Sequence, residues 1–234
     1  MTKHQAHFFS IPRSENSENA DQIGFEVFTE DSVVLALADG VGKSAEGAAA
    51  ARIAISVALA RIKTDSIAEI FTAAQLEISK AAIESTGKNW STTLTLCLIK
   101  AGKAVVGHVG DSRLYHLRGA GLITRTRDQT EVQILIDEGV ISKDRARKYP
   151  RRNVLVSALS SDISFELYQE EFEVTQGDRL LLISDGIYKQ LSRKEIAYAS
   201  AHSSDVIEFL NQLKADLKEK GVVDDSTALC WEIG

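Results

Sequence analysis

Aspartate closes one apolar run after another in this chain. Val33-Val34-Leu35-Ala36-Leu37-Ala38 ends on Asp39-Gly40, and far away Leu180-Leu181-Leu182-Ile183-Ser184 ends on Asp185-Gly186. A buried strand that finishes in a carboxylate pushes one negative charge to the rim of an apolar core. That charge is costly unless a cation meets it, and the adjoining glycine lets a main-chain carbonyl approach the same cation. Asp-Gly after a strand is also ordinary turn chemistry, so either end alone says little. The pattern gains weight by recurrence. Val105 to Arg113 brings another strand to Asp111, Val223 precedes Asp224-Asp225 and a last apolar strand, and Asp21 stands just before Ile23 to Phe28. Brought together, such ends would form an oxygen-only site for a hard divalent ion such as magnesium or manganese.

The rest of the composition sets bounds on that idea. A chain of 234 residues can bury a large core, and 44% hydrophobic with 26% charged residues is an ordinary globular balance. The formal net charge of -6 offers no basic footprint, which disfavours a nucleic-acid partner and suits a protein that gathers carboxylates around cations. The first residues lack the apolar segment of a signal peptide and no run approaches a membrane span, so the expected location is cytoplasmic with no membrane partner. Cys97 and Cys230 lie singly in apolar runs and read as small buried hydrophobes. His4 and His7 could pair as a terminal metal tract, but a frayed N-terminus accounts for them as well.

The elements that must carry these aspartates follow from periodicity. Ile23 to Phe28 and Ser32 to Ala38 form a hairpin around Thr29-Glu30-Asp31. Ser44 caps a helix to about Ile62 with Ala50, Ile53, Val57 and Ala60 on its stripe. A second helix runs from Asp65 or Ser66 to about Ser85 with Ile67, Ile70, Phe71, Ala74, Ile78 and Ala81 inward. Two such helices in succession make one layer over a sheet. Thr92 to Ile99, Ala104 to Val109, Arg113 to Leu117 and Leu122 to Thr126 then read as an antiparallel meander with turns at Ala101-Gly102 and Gly119-Ala120-Gly121. Thr130 to Glu138 is helical, and Ser142 caps a short turn before Pro150. This segment carries Arg145, Arg147, Lys148, Arg151 and Arg152 and looks like a surface flap, whose charges fit a solvated face as well as a substrate-facing one. Phe165 to Val174 and Arg179 to Ser184 read as a strand pair around Gln176-Gly177-Asp178. Helices from Arg193 to Ala199 and from Ser204 or Asp205 to about Lys220 follow, the latter striped by Ile207, Leu210, Leu213 and Leu217. Ser226 to Ile233 closes the chain as a strand.

Set in order, Asn19-Ala20-Asp21, Ala38-Asp39-Gly40, Ser91-Thr92-Thr93, Val109-Gly110-Asp111-Ser112-Arg113, Asp128-Gln129-Thr130, Pro150 to Leu155, Ser184-Asp185-Gly186 and Asp224-Asp225-Ser226-Thr227 resemble the metal-dependent protein phosphatases of type 2C, the PPM family, in its short bacterial form. The resemblance covers nearly the whole chain. It implies an α+β fold, a four-layer sandwich of two antiparallel β-sheets flanked by helices, as a single domain over residues 1–234 with a flap-like segment at about 128–153. It implies a protein serine/threonine phosphatase that hydrolyses phosphoserine and phosphothreonine through a water shared between metals. Two or three manganese or magnesium ions per chain would serve as cofactors, and a phosphorylated protein would be the partner, opposing a Ser/Thr kinase. By position, Asp39 resembles the bridging ligand and Gly40 supplies a carbonyl. Asp185 and Asp224 resemble the other ligands of the first metal, Asp111 the ligand of a third metal shared with Asp185, and Asp21 the residue that orients the attacking water.

The departures bear on activity. Ala20 stands where the family has Glu, which weakens the second metal. Asn16 stands where the phosphate-binding arginine is usual, so Arg13, three residues upstream, substitutes only if the loop folds differently. Val41, Lys43 and Ser160 also depart from the pattern, and Asp225 replaces an asparagine with an extra acid able to bind metal. These leave a second reading, a catalytically weak or inactive regulatory module of the same fold that holds metal and phosphopeptide, and a more distant third, a hydrolase of small phosphoesters.

Overall fold

The structure, a computed structural model, describes residues 6–29, 32–42, 44–85, 90–162 and 164–234. In chain order come β1 (His7–Ile11), β2 (Asp21–Thr29), β3 (Ser32–Asp39), α1 (Ala45–Arg61), α2 (Ile67–Glu84), β4 (Ser91–Thr92), β5 (Leu94–Lys100), β6 (Lys103–Val109), β7 (Arg113–Arg118) and β8 (Gly121–Thr124). They are followed by α3 (Glu131–Asp137), α4 (Lys143–Ala146), β9 (Leu159–Ser160), β10 (Tyr168–Glu173), β11 (Arg179–Ile183), α5 (Asp185–Tyr188), α6 (Arg193–Ala201), α7 (Val206–Lys220) and β12 (Ser226–Glu232). His4, Glu30, Asp31 and Lys43, on which the sequence carried expectations, lie outside the described residues.

Two antiparallel sheets face each other, one ordered β1-β12-β11-β7-β8 and the other β10-β6-β5-β3-β2. Strands buried on both faces need apolar residues on both, and Val33 to Ala38 of β3 and Leu180 to Ile183 of β11 supply them. Val33, Leu35 and Leu37 join Leu180, Leu182, Leu229 and Trp231 between the sheets. Their alternates, Val34, Ala36 and Ala38, pack against α1 and α2 on one outer face. Leu181 and Ile183 pack against α6 and α7 on the other. The result is the four-layer α+β sandwich expected from the sequence.

The helices begin where capping residues predict. Ser44 accepts from the Gly47 N–H, and Ser66 and Glu69 form a capping box at α2. The buried face of α1 matches the expected stripe only in part. Ala50, Ala51, Ala54 and Ala58 lie against the sheet, with Ile53 and Val57 half-buried and Ala60 exposed. Small side chains let this helix settle close to β2 and β3, which moves the larger residues to its flanks. In α2, Ala82 is buried where Ala81 was expected, and in α7 Phe209 takes the inward place assigned to Ile207, which is 51% exposed.

Two expected pairings change. The meander breaks after β6, because Gly110 (φ 113) turns the chain out of one sheet and delivers β7 to the other. The strands around Gln176-Gly177-Asp178 do not pair either: β10 runs beside β6 and β11 beside β7 and β12. The Thr175–Asp178 turn is present, but it carries the chain between sheets. β1, the short β4–β9 pair and α5 carry no strong pattern and were not expected. The segment at 128–153 is largely exposed, held by Gln129 N–H to the Gly110 carbonyl (2.8 Å) and by Tyr149 and Arg151 on Glu131.

Candidate active site

The strand ends that carry aspartate meet at one edge of the sandwich. Asp39 ends β3, and antiparallel register places Asp21, at the start of β2, directly opposite it. Asp185 follows β11 as the first residue of α5, Asp224 and Asp225 precede β12, and Asp111 lies in the crossover from β6 to β7. Asp39, Asp111, Asp185, Asp224 and Asp225 line one cavity of about 170 Å³. Arg13, Thr93, Val41, Asn153 and Leu155 complete its wall, so the flap segment edges the cavity.

Each acid is held by its own local chemistry. The main chain of Asp39 is clamped by consecutive threonines. Its N–H donates to Thr93 Oγ1 (2.9 Å), and its carbonyl accepts from the Thr93 N–H (2.9 Å) and Thr92 Oγ1 (3.0 Å). Gly40 has a steric reason beyond any carbonyl ligand, since a Cβ there would lie 2.5 Å from the Gly47 main chain in the first turn of α1. Gly186 is bound likewise, with a Cβ placed 2.1 Å from the Asp225 carbonyl oxygen. Both Asp-Gly pairs are therefore points where two backbones touch. Ser184 Oγ donates to Asp21 Oδ2 (2.7 Å) and accepts the Thr227 N–H (3.0 Å), joining the two sheets beneath the cavity. The Asp225 N–H donates to Asp224 Oδ1 (3.0 Å).

Asp21 stands beside the cavity rather than in its wall. It is buried at 4% exposure, and among the described residues its Oδ1 has no hydrogen-bond partner. Burial pushes its carboxyl up to about 7, against the Ser184 hydroxyl that pulls it down, with Asp185 and Asp225 adding to the rise. Asp111 is pushed up to about 7 by burial and by Asp185. Asp39 stands well above the usual carboxylate range through burial and through Asp21, Asp185, Asp111 and Asp224, and burial raises Asp185 as well. So many desolvated acids repel one another and hold protons unless positive charge is supplied.

That electrostatic need, the oxygen-only donors and the unpartnered Asp21 oxygen fit hard divalent ions. Asp39, Asp111, Asp185 and Asp224 could hold them from the cavity wall. Among the described residues no three acidic, histidine or cysteine side chains already stand close enough together to hold one ion, so the acids line the cavity without forming a finished site.

Arg13 reaches the cavity, whereas Asn16 is exposed and outside it. Asp225 holds the loop that carries Arg13. Its Oδ1 accepts the Arg13 N–H (2.8 Å), its Oδ2 accepts the Ala20 N–H (3.0 Å), and the Arg13 guanidinium lies 3.6 Å from Oδ2. An aspartate at this position supplies two acceptors where asparagine has one. The extra acid is engaged by this loop. Tyr188 and Lys189, which contact Asp111 and Asp185, had no role in the sequence reading. The signal for Lys189 was its place four residues after Asp185.

Known proteins resemble this chain in sequence and in fold. Serine/threonine protein phosphatase PstP of Mycobacterium tuberculosis is 36% identical over 184 residues, 73% of this chain and 35% of that protein, so the chain spans about a third of this relative's length. The crystal structure of the Mycobacterium tuberculosis serine/threonine phosphatase PstP/Ppp matches with a TM-score of 0.87 at 28% identity, covering 98% of both chains. A catalytic domain of PstP in complex with 2 manganese ions matches with a TM-score of 0.83 at 27% identity over 97% of each chain. The model of protein phosphatase 2C matches residues 12–224, a span that holds every acid at the cavity except Asp225, and the chain belongs to the protein phosphatase 2C family.

Proposed function

We propose that this chain is a metal-dependent protein serine/threonine phosphatase acting on phosphoserine and phosphothreonine, with residues 1–234 working as one domain. The observation that carries the reading is the meeting of Asp39, Asp111, Asp185 and Asp224 in one cavity opposite Arg13. Asp39, Asp185, Asp224 and the Gly40 carbonyl are the groups we assign to holding manganese or magnesium, with Asp39 central because the other acids surround it. Bound divalent ions supply Lewis acidity and neutralise charge as a phosphate monoester is hydrolysed. Arg13 offers a planar fork of donors for phosphate oxygens, and Asp225 fixes where that fork starts. Asp21 Oδ1, without a partner among the described residues, is the atom we assign to orienting the attacking water. Asn153 and Leu155 place the flap where the chain flanking a phosphorylated side chain would pass.

The substrate is a phosphoprotein made by a Ser/Thr kinase, and the compartment is cytoplasmic. Among the described residues no helix is long and apolar enough to cross a membrane, and the net charge is acidic. Ala20 favours a second reading, a weak or inactive module, because its methyl stands where the family pattern has a carboxylate. Release of phosphate from a phosphothreonine peptide, with and without manganese, separates the two. Manganese-dependent turnover that falls by about 100-fold or more in Asp39→Asn and Asp185→Asn is expected. Turnover untouched by both substitutions, or by removal of metal, would refute the assignment, and metal binding without turnover would favour the module.

A further inference from the structure

The flank of the cavity formed by Asp111 and Asp185 differs from the rest. Lys189 lies one helical turn after Asp185, and its ammonium pairs with Asp185 Oδ2. Its N–H also donates to the Asp185 carbonyl (3.1 Å), so the lysine is anchored on the turn that begins with the acid it neutralises. An acid followed by a base at this spacing is the favourable orientation for a helical ion pair. The side chains are 30% and 18% exposed, which keeps the pair largely out of bulk water.

The neighbouring residue fills the other acid. Tyr188 Oη donates to Asp111 Oδ2 (3.0 Å). Its ring is fixed under the Arg113 guanidinium, 3.6 Å from the ring centre, and Arg113 is itself held by two bonds to Asp128 of 2.9 and 2.6 Å. By contrast, the hydrogen bonds at Asp39 among the described residues run through its main chain and leave its carboxylate to the cavity.

Resting on the phosphatase reading above, we propose that Lys189, with Tyr188 beside it, serves as a tethered cation at the Asp111–Asp185 pair, so that the chain works with two divalent ions and excludes a third. A third ion there would have to displace an ammonium from Asp185 and a hydroxyl from Asp111, while facing the positive charge it displaced.

Manganese bound to the full chain is counted by equilibrium dialysis with elemental analysis, alongside thermal melts that establish folding. Two ions are expected for the wild-type chain and for Lys189→Arg, which keeps the charge. Lys189→Ala and the equally long, neutral Lys189→Gln are expected to gain a third, binding about 10-fold or more tighter than any residual third site in the wild type. Three ions in the wild type, or two in both neutral variants, would overturn the inference while leaving the phosphatase reading intact. No manganese bound to the wild type would overturn both.

Discussion

Replacing Asp225 by Asn tests the proposal that Arg13, held by this carboxylate, binds phosphate. The carboxylate takes two main-chain N–H groups, from Arg13 (2.8 Å) and Ala20 (3.0 Å), and Asp225 and Ala20 are both about 5% exposed. Asn keeps one acceptor oxygen and presents a donor to the other N–H, so one buried bond is lost and the charge facing Arg13 disappears. An unsatisfied buried N–H costs about 1–3 kcal/mol, and a bond to a charged acceptor lies toward the upper end of that range. A lowered stability of about 2 kcal/mol is therefore expected, read from urea unfolding of the metal-free chain. Arg13 would then lose its fixed origin. If its guanidinium gives about 2 kcal/mol to phosphate binding, Arg13→Ala should lower kcat/KM on a phosphothreonine peptide by roughly 30-fold. Asp225→Asn should lower it by a fraction of that, about 3- to 10-fold, mostly through KM. The reasoning fails if Asp225→Asn unfolds and binds peptide as the wild type does, or if Arg13→Ala leaves kcat/KM unchanged.

Two further outcomes follow from the site's packing and charge. Gly186→Ala puts a Cβ 2.1 Å from the Asp225 carbonyl, so backbone must move, and a loss of about 3 kcal/mol or more is expected in the same unfolding assay together with weaker manganese binding. The metal-free chain should melt lower as pH rises. Asp21 and Asp111, pushed up to about 7 from 3.8, contribute stability that is complete below 3.8 and lost as pH rises through about 7. His108, held down at about 4 by burial, works in the opposite sense between about 4 and 6.5 and offsets only part of this. A scan from about pH 5 to 8 without metal should show a falling melting temperature that manganese reverses, and a flat or rising profile would contradict the charge accounting.

Much of this architecture is legible in single elements of the sequence. β3 and β11 read correctly because residues on both faces are apolar, and that is also why their aspartates stand out at the ends. Ser44 and Ser66 mark helix starts because a side-chain acceptor at that position satisfies an otherwise orphaned N–H. Which sheet a strand joins is not local information. Gly102 and Gly177 both sit in tight turns with positive φ, yet the first closes a hairpin and the second sends the chain across the sandwich. The difference lies in Asp178, whose carboxylate is taken by His116 (2.8 Å) and Arg118 (2.7 and 2.6 Å), residues some 60 positions earlier. The site divides the same way. Acids at strand ends are visible, but the second oxygen of Asp225, the Lys189 pair and the reason for Gly186 depend on what the fold brings beside them.

Asp21 and Asp39 lie in strands of one sheet, while Asp185 and Asp224 flank the ends of β11 and β12 of the other. An ion seated among them would act as a rivet through both leaves of the sandwich, at the edge where Ser184 on Asp21 and Asp225 on the Ala20 N–H already join them by hydrogen bonds. Separating the leaves would then require ejecting the ion, so resistance to unfolding should track free manganese, by about 2.7 kcal/mol at a hundredfold excess over its dissociation constant. Cation supply would thereby govern the lifetime of the folded chain as well as its turnover.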